Sequence, residues 1–181
     1  TTRLRAELWR ARSEHTDTFY AARTRVGLKY SYRNLLSLYG EFQDARLYNL
    51  SPKMSGAGAL YRAFADGDND TDSQTLRQLW LDVKPIEGLG IRIGRQDFKL
   101  GTEVMYPEGN WKYVKIKRGS QRLVGTVGWT HAERSNDGIR VAYDTGGHHL
   151  YAFAAQPTTG VFDIDDAYKR QGDILYGGLT W

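Results

Sequence analysis

The stretch Tyr20-Ala21-Ala22-Arg23-Thr24-Arg25-Val26-Gly27-Leu28-Lys29-Tyr30-Ser31-Tyr32 decides the fold. Every second residue gives Tyr20, Ala22, Thr24, Val26, Leu28, Tyr30 and Tyr32; between them stand Ala21, Arg23, Arg25, Gly27, Lys29 and Ser31. Successive side chains of a strand point to opposite faces, so this period of two reads as a β-strand with one apolar and one basic face. The apolar set has an aliphatic centre bracketed by tyrosines. A strand that crosses a bilayer has that layout, with aliphatic side chains on lipid and aromatics at the two interfaces. An arginine turned to lipid near the midplane costs roughly 2–4 kcal/mol, so turning Arg23 and Arg25 outward would cost on the order of 4–8 kcal/mol. That difference fixes the register and gives the arginine face to a lumen. A soluble barrel with the same alternation would put the apolar set in its core and the arginines in solvent, and periodicity alone leaves that alternative open.

Working outward, the same alternation recurs at Leu4-Ala6-Leu8, Leu36-Leu38-Gly40-Phe42, Leu79-Leu81-Val83, Leu89-Ile91-Ile93, Ile139-Val141-Tyr143, His148 to Ala155 and Asp173 to Trp181. With the first stretch these make about eight strands. The connections alternate in length. Tyr32 to Asn34, Lys84 to Gly88 and Asp144 to Gly147 are tight turns; Ser13 to Thr18, Leu47 to Ser73, Asp97 to Asn136 and Gln156 to Gly172 are longer. An antiparallel meander with short turns on one rim and long loops on the other is the layout of a bacterial outer-membrane barrel. The expected fold is therefore all-β: one domain over residues 1–181, an antiparallel transmembrane β-barrel meander with short periplasmic turns and long extracellular loops. Strict alternation from Ile91 and Ile93 sends Arg95 outward, so a bulge is expected at Gly94 to return it to the lumen.

Composition narrows the classes. The 181 residues carry 25 Lys+Arg against 21 Asp+Glu, 20 Gly, 12 Tyr, 5 Trp and no Cys, with a mean hydropathy of −0.58. No apolar run reaches the roughly 18 residues that a membrane-spanning helix needs. Without cysteine there is no disulfide scaffold, thiolate metal site or cysteine nucleophile. The high aromatic content argues against disorder.

Motifs for chemistry are sparse. Asp66-Gly67-Asp68-Asn69-Asp70-Thr71-Asp72 has the alternate acids of a calcium loop, but Thr71 and Arg77 hold the places of the required glycine and bidentate glutamate, which favours a solvated loop tip. Trp111 to Arg118 interleaves aromatics with cations and suits sugar stacking and phosphate pairing as well as it suits a solvated hairpin; the basic excess is too local for nucleic acid. His148-His149 reads as a turn pair, and Asp163, Asp165 and Asp166 as loop carboxylates. No nucleophile elbow, phosphate loop or helical histidine pair occurs, so neither an enzyme nor a cofactor is expected.

Several strings together resemble the alginate export family of outer-membrane porins: Arg23-Thr24-Arg25, Gln43-Asp44-Ala45-Arg46, Leu76-Arg77-Gln78, Gly94-Arg95-Gln96, Gln121-Arg122-Leu123-Val124-Gly125 with Trp129, and Arg134-x-x-Asp137-Gly138-x-Arg140. The resemblance runs from about Arg3 to Ala155, with Thr102 to Ser120 standing as an insertion. It implies a wide barrel, typically of about eighteen strands, whose arginine-rich lumen passes anionic polysaccharide or other anions. It further implies a substrate path along Arg23, Arg25, Gln43, Asp44, Arg77, Gln78, Arg92, Arg95, Gln96, Arg122, Arg134, Asp137 and Arg140, with no catalytic or metal-binding residue. Partners would be outer-membrane lipid and lipopolysaccharide, the anionic solute, and further strands beyond Trp181. The departure is strand number, because an eight-stranded barrel encloses only enough space for its own side chains. Two readings stand: part of a larger porin, or a small closed barrel with a structural or adhesive role and no conductance.

Overall fold

Alternating polar and apolar side chains produce an all-β antiparallel meander. The computed structural model describes residues 2–10, 16–98, 107–120, 122 and 124–181. Its strands are β1 (Thr2–Arg10), β2 (Thr16–Tyr32), β3 (Leu36–Tyr48), β4 (Thr71–Val83), β5 (Leu89–Gln96), β6 (Asn136–Thr145), β7 (His148–Pro157) and β8 (Tyr176–Thr180). Each pairs with its successor in one eight-stranded sheet, and among the described residues β1 and β8 have no strand on their far sides. Tight turns join β2 to β3, β4 to β5 and β6 to β7. At one of them the Asp144 N–H donates to Gly88 O at 2.9 Å. Longer segments join β3 to β4, β5 to β6 and β7 to β8. The first forms a helix, α1 (Gly56–Phe64), and the second a short helix, α2 (Gly109–Tyr113), followed by a π-helical turn (Val114–Ser120). Of the connection expected at Ser13 to Thr18, residues 13–15 lie outside the described residues, and Thr16 to Thr18 belong to β2, since the strand pairing with β1 runs to Thr16.

β2, β3 and β4 run further into the long-loop end than alternation alone suggests. Register locks the three together: Val26 stands beside Phe42, Leu28 beside Gly40 and Tyr30 beside Leu38, while Leu38 stands beside Leu81 and Phe42 beside Leu76. All of these share one face, here called outer, and among the described residues nothing covers it: Leu28 is 80% exposed and Val26 63%. The opposite, inner face carries the buried groups, Arg23, Gln43 and Arg77 among them. A soluble barrel needs the reverse arrangement.

The bulge lies in β4 and not at Gly94. The β3–β4 register shifts between Glu41 and Phe42, Glu41 facing Gln78 and Phe42 facing Leu76, so that Arg77 is the extra residue. A bulge places two consecutive side chains on one side, and both Arg77 and Gln78 reach Glu41 on the inner face, at 2.8 and 3.2 Å. The β5 ladders run unbroken through Gly94, pairing it with Trp80 and Gly138, so Arg95 stays on the outer parity with Ile93. Glycine is required at 94 for another reason: its φ is +119° and a Cβ would stand 2.3 Å from Leu79 O.

Above the apolar band the outer face turns polar. Thr24, Asp44, Arg46, Asp72 and Gln74 share its parity, with Arg46 Nε 3.0 Å from Asp44 Oδ1. On the inner face at the same level, Phe19, Ala21, Ala45 and Leu47 pack with Leu50, Met54, Ala57 and Tyr61 from α1 and its approach, and with Ala132, Ile164 and Ala167. Segments of three long connections, β3–β4, β5–β6 and β7–β8, therefore fold onto the sheet through an apolar plug. The long connection expected from Leu47 to Ser73 thus contains a helix, on which Ala57 and Tyr61 lie on one face, and that face is buried.

Replacing Gly94 with Ala should destabilise the folded sheet in detergent by about 1–3 kcal/mol, the cost of a strained backbone plus a close contact. Gly90→Ala is the control, since no atom lies within 4 Å of its added Cβ, and it should stay within about 0.5 kcal/mol of the parent in urea unfolding.

Candidate functional site

The inner face of the sheet collects the guanidinium groups, and Glu133 organises the upper cluster. Its segment, between the π-helical turn and β6, lies against β2, β3 and β4. Glu133 stands 2.8 Å from Arg23, 3.3 Å from Arg25 and 3.0 Å from Arg77. Backbone carbonyls of the same segment take further donors: Arg23 Nη1 reaches His131 O at 2.6 Å, and Arg25 Nη2 and Gln43 Nε2 reach Ala132 O at 3.3 and 3.1 Å. Arg25 Nε also donates to Gln43 Oε1 at 2.6 Å. Arg77 holds Glu41 at 2.8 Å and both oxygens of Asp97 at 2.9 Å. Three arginines thus meet three carboxylates. The belt is formally neutral and largely buried, so its guanidinium groups are committed to the protein.

His131 fixes the segment from both sides. Its backbone N–H donates to Tyr61 Oη of α1 at 2.8 Å, and its ring Nε2 lies 2.8 Å from Ala22 O of β2. Ser135 Oγ donates to Arg77 O at 2.6 Å where the bulge frees that carbonyl. Burial holds the Asp97 carboxyl above its ordinary range, and the pull of the Arg77 charge in the other direction does not overcome it.

A second cluster lies towards the short-turn end. Asp82 accepts from Arg92 Nη2 at 2.6 Å and Nε at 2.9 Å, and Arg140 Nη2 stands 4.0 Å from the same oxygen. The Arg92 guanidinium lies over the Trp80 ring, 3.6 Å from its centroid, and Trp80 packs on Tyr39 at 5.2 Å. Two adjoining cavities open here, of about 720 and 230 Å³, sharing Asn34, Asp82 and Lys84. Lys29, Arg33, Lys84, Arg92 and Arg140 line them against Asp82, Glu87 and Asp144, so five cations face three carboxylates. Space and uncommitted guanidinium capacity coincide at this end of the sheet.

The structure divides the residues expected to line a path. Arg23, Arg25, Gln43, Arg77 and Gln78 come together in the belt, and Arg92 and Arg140 in the lower cluster. Gln96 is on the inner parity and buried, its Nε2 donating to Gly138 O at 3.1 Å. Asp44, Arg95 and Asp137 stand on the outer face, because alternation is unbroken on either side of them. Arg134 serves its own segment, donating from Nε to Gly125 O at 2.8 Å and from Nη2 to Arg122 O at 3.2 Å; the Arg122 side chain is exposed. Sequence reasoning passed over Glu133 and Asp97, which lie in irregular segments where no period exists to place a side chain. Trp80 and Asp82 share the parity of Gln78, and that signal could have found them.

Among the described residues no group of three or more His, Asp or Glu side chains is placed to hold a metal ion. In the Asp66 to Asp72 segment, Asp70 Oδ1 accepts from the Asn49 backbone N–H at 2.9 Å and Asn69 Oδ1 from Arg62 at 2.6 Å. Trp111 and Tyr113 of α2 are exposed. His149 pairs with Asp144 across the turn.

A family model described as alginate export matches residues 2–176. No curated protein and no solved structure matches the chain.

Removing Arg77 takes the paired cation from Glu41 and Asp97, while Glu133 keeps Arg23 and Arg25, and breaking such a buried pair costs about 3–5 kcal/mol. Arg77→Met should show that loss in urea unfolding in micelles. A second prediction concerns pH. The folded-state pKa of Asp97 lies above its unfolded value, so the stability this group contributes is fully present below about pH 4 and is lost as pH rises through the raised value. Asp97→Asn should flatten that part of the stability profile, read as unfolding midpoint against pH.

Proposed function

The chain belongs to the alginate export family, and from that membership we propose that it works in the bacterial outer membrane as a porin-type exporter giving anionic polysaccharide, or other anions, passive passage along its basic inner face. Members of the family are outer-membrane β-barrel proteins with a transport role, not enzymes. The bare outer face of Val26, Leu28, Leu38, Phe42, Leu79 and Ile93 supports a lipid setting, since soluble proteins rarely leave so broad an apolar surface uncovered. In hydrocarbon every backbone donor and acceptor must be paired, so the outer edges of β1 and β8 would be met by further strands of the same barrel. Short turns then face the periplasm and long loops the exterior.

The observation that carries the reading is the cation excess of the lower cluster. Arg140 stands 4.0 Å from Asp82, beyond hydrogen-bond reach, and a sugar carboxylate entering from the periplasmic side would find two guanidinium groups beside one carboxylate. Bidentate guanidinium contacts replace the hydration that a carboxylate gives up. Asp82 keeps the site from holding the anion too tightly, because conduction needs release as well as binding. Arg92 is presented by Trp80, whose ring face holds the guanidinium plane in position. The neutral belt above the cluster is a constriction more than a binding site.

In planar bilayers the full-length protein should show anion preference in reversal potentials under a salt gradient. Arg92→Gln and Arg140→Gln should each lower the anion-to-cation permeability ratio by roughly fivefold, the equivalent of about 1 kcal/mol for one charge ~4 Å away at water-like dielectric, and the double variant should lower it further. The preference should fade as salt rises from 0.1 to 1 M and the Debye length falls from about 10 to about 3 Å. Cation preference would overturn the exporter reading, and a folded protein without conductance would leave the small closed barrel in its place.

A further inference from the structure

On the outer face a cleft of about 710 Å³ opens where β4 and β5 part. The two strands pair only from Leu79 to Val83; β4 then continues to Thr71 without β5 beside it. The lower wall of the cleft is apolar, formed by Leu76, Leu79, Ile93 and Ile139, each at least 40% exposed. Its upper rim is cationic. Arg95 grips Asp137 with both arms of its guanidinium, at 2.7 and 2.8 Å, and Arg170, from the β7–β8 loop, reaches the same carboxylate through Nε at 2.7 Å with its side chain 62% exposed. Two guanidinium groups meet one carboxylate, so the rim keeps a net positive charge. Along β5 and β6 this rim comes directly after Ile93 and Ile139, Arg95 standing between Leu79 and Asp137.

We propose that this cleft seats one phosphoglycolipid of the outer leaflet, with an acyl chain along Leu76, Leu79, Ile93 and Ile139 and its phosphate at Arg170. The proposal rests on the outer face meeting lipid, as the functional reading requires. Three features choose this occupant over a polymer or a protein partner. The cleft falls within the roughly 300–1,000 Å³ of ligand sites, its apolar wall of Leu76, Leu79, Ile93 and Ile139 shares the outer parity of the band that would face acyl chains, and its cations stand at the end of that wall on β5 and in the β7–β8 loop. Asp137 orients both guanidinium groups, and Arg170 directs its remaining donors outward, in the geometry that recognises phosphate oxygens.

The test uses the full chain in neutral detergent with three probes: monophosphoryl lipid A, phosphatidylcholine and inorganic phosphate. Native mass spectrometry should show lipid A retained about tenfold more tightly than phosphatidylcholine, with Arg170→Gln abolishing most of that difference. Inorganic phosphate at matched concentration should not displace the lipid. Equal retention of the two lipids, an Arg170→Gln protein that binds lipid A as the parent does, or full displacement by phosphate would overturn the proposal. A bromolipid quenching measurement on a Leu28→Trp variant in vesicles separates the two levels of the argument. Quenching at position 28 combined with any of those negative results removes the lipid site alone, whereas no quenching there removes the membrane setting and the site with it.

Discussion

A guanidinium group cannot be turned towards hydrocarbon without a cost that a marginally stable fold does not absorb, and the arrangement of the sheet follows from that constraint. Strand side chains alternate, so placing Val26, Leu28 and Tyr30 on one face places Arg25 and Lys29 on the other. Register carries the choice from β2 to β7 through the apolar band, where Val26 stands beside Phe42, Phe42 beside Leu76, Leu81 beside Ile93, Ile93 beside Ile139 and Ile139 beside Ala154. An inner face that gathers arginine must then neutralise it. The protein does so with carboxylates from strands and loops, and where the count of carboxylates falls short, at Arg92 and Arg140, it leaves a basic chamber.

Glu133 explains how a loop can seat on a basic wall with a unique pose. One carboxylate touching Arg23, Arg25 and Arg77 ties β2 and β4 to the segment before β6, and the carbonyls of His131 and Ala132 add acceptors along the same line. The β4 bulge belongs to this arrangement. Without the extra residue, Arg77 and Gln78 would fall on opposite faces and Glu41 would keep two of its three partners, Tyr39 being the third. Buried charge-assisted contacts of this kind favour one geometry, although Arg77 Nε is buried without a hydrogen-bond partner, and the apolar plug of α1 packs beyond them.

Much of this was legible in the sequence because it rests on period. The eight strands, the alternation of short and long connections, and the inner placement of Arg23, Arg25, Arg92 and Arg140 all come from reading every second residue. What period cannot show is a break in period or a segment without one. The bulge was sought at Gly94, whose positive φ reflects close approach to Leu79 O, and it occurs at Arg77, where no residue type marks it. Asp44, Arg95 and Asp137 belong to motifs that suggest the path, yet parity puts them outside. Glu133 and Asp97 sit in loops, and their roles are set by tertiary docking alone.

The central claim is that the two faces of β2 meet two different solvents. Fluorescent labels at positions 26, 28 and 29, in the protein reconstituted into vesicles with nitroxide-labelled lipid, test it most directly. The account predicts strong quenching by lipid at 26 and 28, and at 29 quenching by aqueous iodide instead. Lipid quenching as strong at 29 as at 28, or iodide reaching all three positions alike, would contradict it.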